Sequence, residues 1–124
     1  MRDLKFRQAI FHPVTGEFLR WHYWGLIEGI FVGIDTGWYS PTQAIENSYQ
    51  YTGLLDRNSK EIYEGDIVNL IPEGYTIVPA IVQWSDKELR WVCHRPETNT
   101  GLYLTLNSEI EIIGNIRENP KIGG

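Results

Sequence analysis

The sequence predicts an all-β fold with at most one short helix, arranged as small bent sheets, and two observations carry that expectation. Apolar and polar residues alternate at period two in one stretch after another, the pattern of half-buried strands. The stretches are short, and clusters of Gly, Pro, Asn and Asp separate them, as tight turns between strands require. A chain of 124 residues has room for one ordinary domain, here 1–124.

The elements follow in chain order. Residues 3–11 alternate, with Leu4, Phe6 and Ile10 on one side and Lys5 and Arg7 on the other. His12-Pro13-Val14-Thr15-Gly16 is a turn cluster that returns the chain into a second strand over 17–24. Leu19, Trp21 and Tyr23 share one face of it; Phe18, Arg20, His22 and Trp24 share the other. A third strand is expected over 30–34. Ser40-Pro41-Thr42-Gln43 has the marks of a helix start: a Ser N-cap, Pro at the first helical position and Gln three residues after the cap. That helix should end near Asn47.

Beyond Tyr49 come a polar turn at 56–59, then Lys60-Glu61-Ile62-Tyr63, and a tight turn at Glu64-Gly65-Asp66 leading into a strand over 67–71. Val78, Ala80, Val82 and Trp84 share a face of the next strand, 76–84, and Pro79 places it at an edge or a bulge. Residues 88–95 alternate, with Leu89, Trp91 and Cys93 on one side. Leu102, Leu104 and Leu106 repeat at period two, as do Ile110 and Ile112, and Gly114 permits a bend. Five short strands in roughly seventy residues suggest a strongly bent sheet or barrel. A composition shift near 40–48 divides the chain into an aromatic-rich β-hairpin subdomain (1–48), a small β-barrel (49–118) and a loose tail (119–124).

Charge and aromatics are distributed unequally. The net charge is −5. Residues 1–40 hold four Lys/Arg and four Asp/Glu, so the whole excess lies in 41–124. Without a basic run, generic affinity for phosphate backbones is not expected. Nine of the sixteen aromatics fall in the first 40 residues. They serve a small core, and Trp21, Tyr23, Trp24 and Trp38 are the candidates for a contact surface, since Trp and Tyr are enriched at such patches. No apolar run approaches the roughly 18 residues of a membrane span. The charged start Met1-Arg2-Asp3-Leu4-Lys5 is unlike a secretory leader. The single cysteine, Cys93, suits a reducing cytoplasm.

The most specific stretch is Tyr51-Thr52-Gly53-Leu54-Leu55-Asp56-Arg57-Asn58-Ser59-Lys60-Glu61-Ile62-Tyr63-Glu64-Gly65-Asp66-Ile67-Val68. It closely resembles the signature of the YopX family, approximately Q-Y-T-G-L-x-D-x-x-G-x-E-I-Y-E-G-D-I-V. Glu111-Ile112-Ile113-Gly114-Asn115-Ile116-Arg117-Glu118-Asn119-Pro120 is similar to the family's closing motif, and Met1-Arg2-Asp3-Leu4-Lys5-Phe6-Arg7 to its usual start. The resemblance implies a protein encoded by a bacteriophage or prophage, acting in the bacterial host cell, with no established activity and so no catalytic residues to carry over. The signature positions Tyr51, Gly53, Asp56, Glu61, Tyr63, Gly65, Asp66, Gly114, Asn115, Asn119 and Pro120 are expected to be structural. Ser59 stands where the family usually has Gly, which predicts a type I turn or a left-handed Asn58. Glu-Gly-Asp-Ile-Val followed by strands looks like the first strand of an SH3-like barrel, the form expected of the C-terminal part.

Other chemistry finds little support. Glu61, Glu64 and Asp66 form the densest acidic group, and turn acids of this kind cap backbone N–H groups more often than they hold a divalent cation. His12, His22, His94 and Cys93 lack zinc-ligand spacing, and Cys93 and His94 point to opposite faces of one strand. Gly25, Gly29, Gly33 and Gly37 recur every four residues without a phosphate-loop pattern, consistent with turns between short strands. No catalytic residue, metal or cofactor is expected. The expected function is protein–protein binding or self-assembly as a homo-oligomer, with a host or phage protein as a further partner. The alternative is a nucleic-acid-binding module of phage replication or regulation, using the barrel and Arg–Trp pairs.

Overall fold

The structure, a computed structural model, describes residues 4–69, 79–94, 103–105 and 110–118. It is mainly β with one short helix among these residues. The strands are β1 (Leu4–Phe11), β2 (Phe18–Ile27), β3 (Ile30–Val32), β4 (Ser48–Leu55), β5 (Glu61–Tyr63), β6 (Asp66–Asn69), β7 (Pro79–Ser85), β8 (Arg90–His94), β9 (Tyr103–Thr105) and β10 (Glu111–Asn115), and α1 is Pro41–Glu46. Two sheets result, ordered β3-β2-β1-β4-β5 and β10-β6-β7-β8-β9. The chain divides into two compact units, Met1–Gly53 and Leu54–Gly124.

In the first unit β1 and β2 form a long hairpin in register from Leu4↔Leu26 to Ile10↔Arg20, with an irregularity at Ile10/Phe11. A residue in this register shares a face with its partner. One face therefore carries Leu4, Phe6, Gln8 and Ile10 with Leu26, Trp24, His22 and Arg20. The other carries Lys5, Arg7 and Ala9 with Gly25, Tyr23 and Trp21. Gly25 lies inside β2 at φ 111°, where a Cβ would overlap the carbonyl oxygen of Leu4. Its role is close strand approach, whereas the even glycine spacing suggested only turns. The helix starts as expected: Ser40 Oγ accepts from Gln43 N at 3.2 Å, and Gln43 Oε1 accepts from Ser40 N at 2.9 Å. Its end is tied to the sheet, because Asn47 O accepts from Ala9 N at 2.8 Å.

The second unit has its core in Ile62, Val68, Ala80, Val82, Cys93 and Ile110, with Trp91 and Ile112 packed against it. The β7–β8 register pairs Val82 with Cys93 and Trp84 with Trp91, which sets the core face of both strands. Burial of Cys93 pushes its thiol up to about 12, so it is an inert core group.

Several expectations are corrected. Among the described residues there is no SH3-like barrel: β10 and β9 stand at opposite edges of an open sheet, and no sheet closes. The reason lies at Glu64-Gly65, where a two-residue turn separates β5 from β6 although they belong to different sheets. Periodicity marks strands and faces but not which sheet a strand joins. Pro79 does not mark an edge, since β7 lies between β6 and β8. Leu89 is in a turn at φ 54° and 73% exposed, not on the core face with Trp91 and Cys93. Ser59 itself adopts φ 62°, so the left-handed residue is not Asn58. The expected strand ends at 70–71, 76–78 and 95, together with Leu102, Leu106, Asn119, Pro120 and the tail 121–124, lie outside the described residues.

Candidate functional site

The first unit builds a small cleft where the segment 33–39 crosses the Gln8/Ile10 face of the β1–β2 hairpin. Gln8 is fully buried and pairs with the main chain of Asp35 in both directions: Nε2 donates to Asp35 O at 2.8 Å, and Oε1 accepts from Asp35 N at 2.9 Å. Asp35 then closes an Asx turn by accepting from Gly37 N at 2.9 Å, and its other oxygen meets Arg20 Nη2 at 3.0 Å. The Gly37 amide and the Arg20 guanidinium hold the Asp35 carboxyl below its ordinary range. Tyr39 fastens the far end, accepting from Phe11 N at 2.7 Å and donating to Phe11 O at 3.1 Å. His22 Nε2 meets Gly33 O at 2.7 Å at the near end.

Between these straps is a cavity of about 160 Å³ lined by Ile10, Arg20, Asp35, Gly37, Trp38 and Tyr39. Trp38 forms its rim and is 55% exposed, with the His12 ring 6.4 Å away. A space of roughly this volume accommodates one aromatic ring and is well below the ~300 Å³ at which small-molecule sites begin.

The other candidate residues separate sharply. Trp24 stacks on Phe6 at 4.4 Å and donates to Ser48 Oγ at 2.9 Å, and Ser48 in turn donates to Ala44 O at 2.7 Å, so Trp24 pins the helix to the sheet. Trp21 sits under Arg7 at 4.2 Å and meets Phe18 and Tyr49 edge-on at 5.1 and 6.0 Å. Tyr23 is exposed at the opposite face from the cleft. Trp21, Tyr23, Trp24 and Trp38 therefore do not form one surface. Tyr51 lies in β4 beneath Lys5 at 5.1 Å, and Gly53 follows at φ 87°.

In the second unit the signature side chains serve the backbone. Asp56, 4% exposed, accepts from Asn58 N at 2.8 Å, Lys60 N at 2.9 Å and Ile112 N at 3.1 Å. Burial alone would push its carboxyl up, and these three amides more than offset that and hold it down. Asp66 accepts from Tyr63 N at 2.8 Å, and Tyr63 Oη donates to Glu61 Oε1 at 3.2 Å. Gly65 at φ 85° donates to Val82 O and accepts from Ile116 N. Asn115 Oδ1 accepts from Arg117 N and Glu118 N, and a bulge falls between Ile112 and Gly114. Among the described residues no three His, Cys, Asp or Glu side chains converge as metal ligands.

Gln8 and Asp35 are not among the residues the sequence singles out. Gln8 is the lone polar residue on the Leu4/Phe6/Ile10 side of β1, and Asp35-Thr36-Gly37 is an Asx-turn pattern; both signals were visible, but not their pairing.

Fold and cleft together define a small two-sheet β protein with an aromatic-rimmed notch sized for a side chain. The family described as YopX protein matches residues 33–122, and the chain belongs to that phage- and prophage-associated family. No curated protein matches it. Among solved structures, the crystal structure of protein EF1440 from Enterococcus faecalis is similar, with 23% sequence identity, 93% of this chain and 73% of that chain covered, and a TM-score of 0.44.

Proposed function

We propose that this phage-associated protein works by binding another protein through its N-terminal unit, and not by catalysis. The observation that carries the reading is Trp38, half-exposed on the rim of a cleft whose walls are held by hydrogen bonds at both ends. A large aromatic beside a pre-formed one-ring notch is the arrangement of an interface anchor. Trp21 and Trp24 are occupied within the fold and the exposed Tyr23 faces away from the cleft, which leaves Trp38 as the anchor at the notch. A phage-encoded chain is made in the bacterial cytoplasm, and the single buried Cys93 suits that compartment.

A nucleic-acid reading draws on one observation: Lys5 over Tyr51 and Arg7 over Trp21 on a single sheet face. Against it, Arg7 is only 8% exposed, which keeps its guanidinium from a phosphate. The test is capture of the tagged chain from nuclease-treated cells carrying the phage or prophage, beside the Trp38→Ala variant. The protein-binding reading expects a nuclease-resistant partner that Trp38→Ala loses by about tenfold or more. A bound species that nuclease removes, or that moderate salt releases, overturns it in favour of nucleic acid.

A further inference from the structure

The free edge of the N-terminal sheet is β3, and its geometry is self-complementary. The turn joining β2 to β3 is Glu28-Gly29, with φ values of 51° and 82°, the signature of a two-residue type I′ turn. Such a turn closes on a hydrogen-bonded pair, here Ile27 and Ile30. The next pair, Leu26 and Phe31, is then a non-hydrogen-bonded one. The Phe31 N–H and C=O consequently point away from β2, toward an edge that no strand occupies among the described residues.

The side chains continue the pattern. Leu4, Leu26 and Phe31 form one row across β1, β2 and β3, with Phe31 73% and Leu4 55% exposed. Ile30, on the opposite face, is 68% exposed. No residue of β3 is charged, so the edge lacks the Lys or inward-pointing charge that usually blunts one. Gly29 and Gly33, two residues to either side of Phe31, have open space where a Cβ would be.

We infer that β3 pairs antiparallel with β3 of a second copy, about a two-fold axis at Phe31. The inference rests on the protein-binding reading and names a partner for the N-terminal unit. Each Phe31 N–H donates to the other copy's Phe31 C=O, Ile30 faces Val32, and Gly29 faces Gly33. The apolar row then runs unbroken through six strands. The near-palindromic run Gly29-Ile30-Phe31-Val32-Gly33 selects a second copy as the occupant, and because 1–40 is neutral while the −5 lies in 41–124, like charge along this segment does not oppose the pairing. A three-residue edge is short against an interface of ~800 Å² per partner, so the dimer is expected to be concentration-dependent.

Sedimentation equilibrium of the full chain from micromolar to about 1 mM reads this directly, with Phe31→Asp as the disrupting variant and Val14→Asp, in a turn and 86% exposed, as the control. The expected result is a reversible dimer whose dissociation constant Phe31→Asp raises on the order of 100-fold and Val14→Asp leaves alone, with unchanged circular dichroism in both. Phe31→Cys should also form an inter-chain disulfide faster than Ile30→Cys, because only position 31 faces itself across the axis. A monomer throughout the range, a dimer indifferent to Phe31→Asp, or equal cross-linking at 30 and 31 overturns the inference. A monomer that still captures a partner through Trp38 sinks this dimer and leaves the protein-binding reading standing. A Phe31-dependent dimer that captures nothing does the reverse.

Discussion

Asp56 shows how one side chain can organise a family signature. Its two oxygens hold the 56–60 turn and also reach Ile112, fifty-six residues away. Asp56→Asn keeps one acceptor oxygen but turns an N–H₂ toward a backbone donor, and is expected to cost about 1–3 kcal/mol in urea unfolding at neutral pH. The folded carboxyl titrates below its unfolded value, so its stabilisation is present above pH ~4 and is lost as pH falls through the lower folded value. The gap between wild type and Asp56→Asn should therefore shrink in acid, and unfolding measured from pH 6 down to pH 2.5 checks it. Ser59, at φ 62° and exposed, makes the opposite prediction. Ser59→Gly should stabilise by about 0.5–1 kcal/mol, since an L residue is strained in the left-handed region; a lowered melting temperature would contradict that.

Strands and helix were largely legible because they follow from local rules. Period-two alternation located β1, β2, β8 and β10, and the Ser40-Pro41-Gln43 pattern located α1 together with its cap. What was hidden depends on partners distant in sequence. The turn at Glu64-Gly65 reads as a hairpin, yet it separates strands of two sheets, and that is why a barrel was expected where the sheet is open. The contact surface suffered similarly: four aromatics look alike in a sequence, but stacking on Phe6 consumes Trp24 and contacts with Arg7, Phe18 and Tyr49 consume Trp21, while Trp38 stays at a rim. Two substitutions test these elements. Gly25→Ala forces a Cβ against the Leu4 carbonyl at φ 111° and should cost on the order of 2 kcal/mol or more. Ser40→Ala removes half of the capping box and should cost about 1 kcal/mol, both read by thermal unfolding.

Over the whole chain, charge is segregated. The acidic excess lies in 41–124, which carries the signature, and the neutral stretch 1–40 carries Trp38 and the open edge of β3. No helix among the described residues is long and apolar enough to cross a membrane. On the proposed function, the N-terminal unit does the binding and the signature holds the fold. Hydrogen–deuterium exchange on the chain with and without its captured partner tests this most directly. Added protection is expected over residues 33–39, around Trp38, with the 56–68 segment unchanged. Protection confined to the signature turns, with 33–39 exchanging as in the free protein, would contradict it.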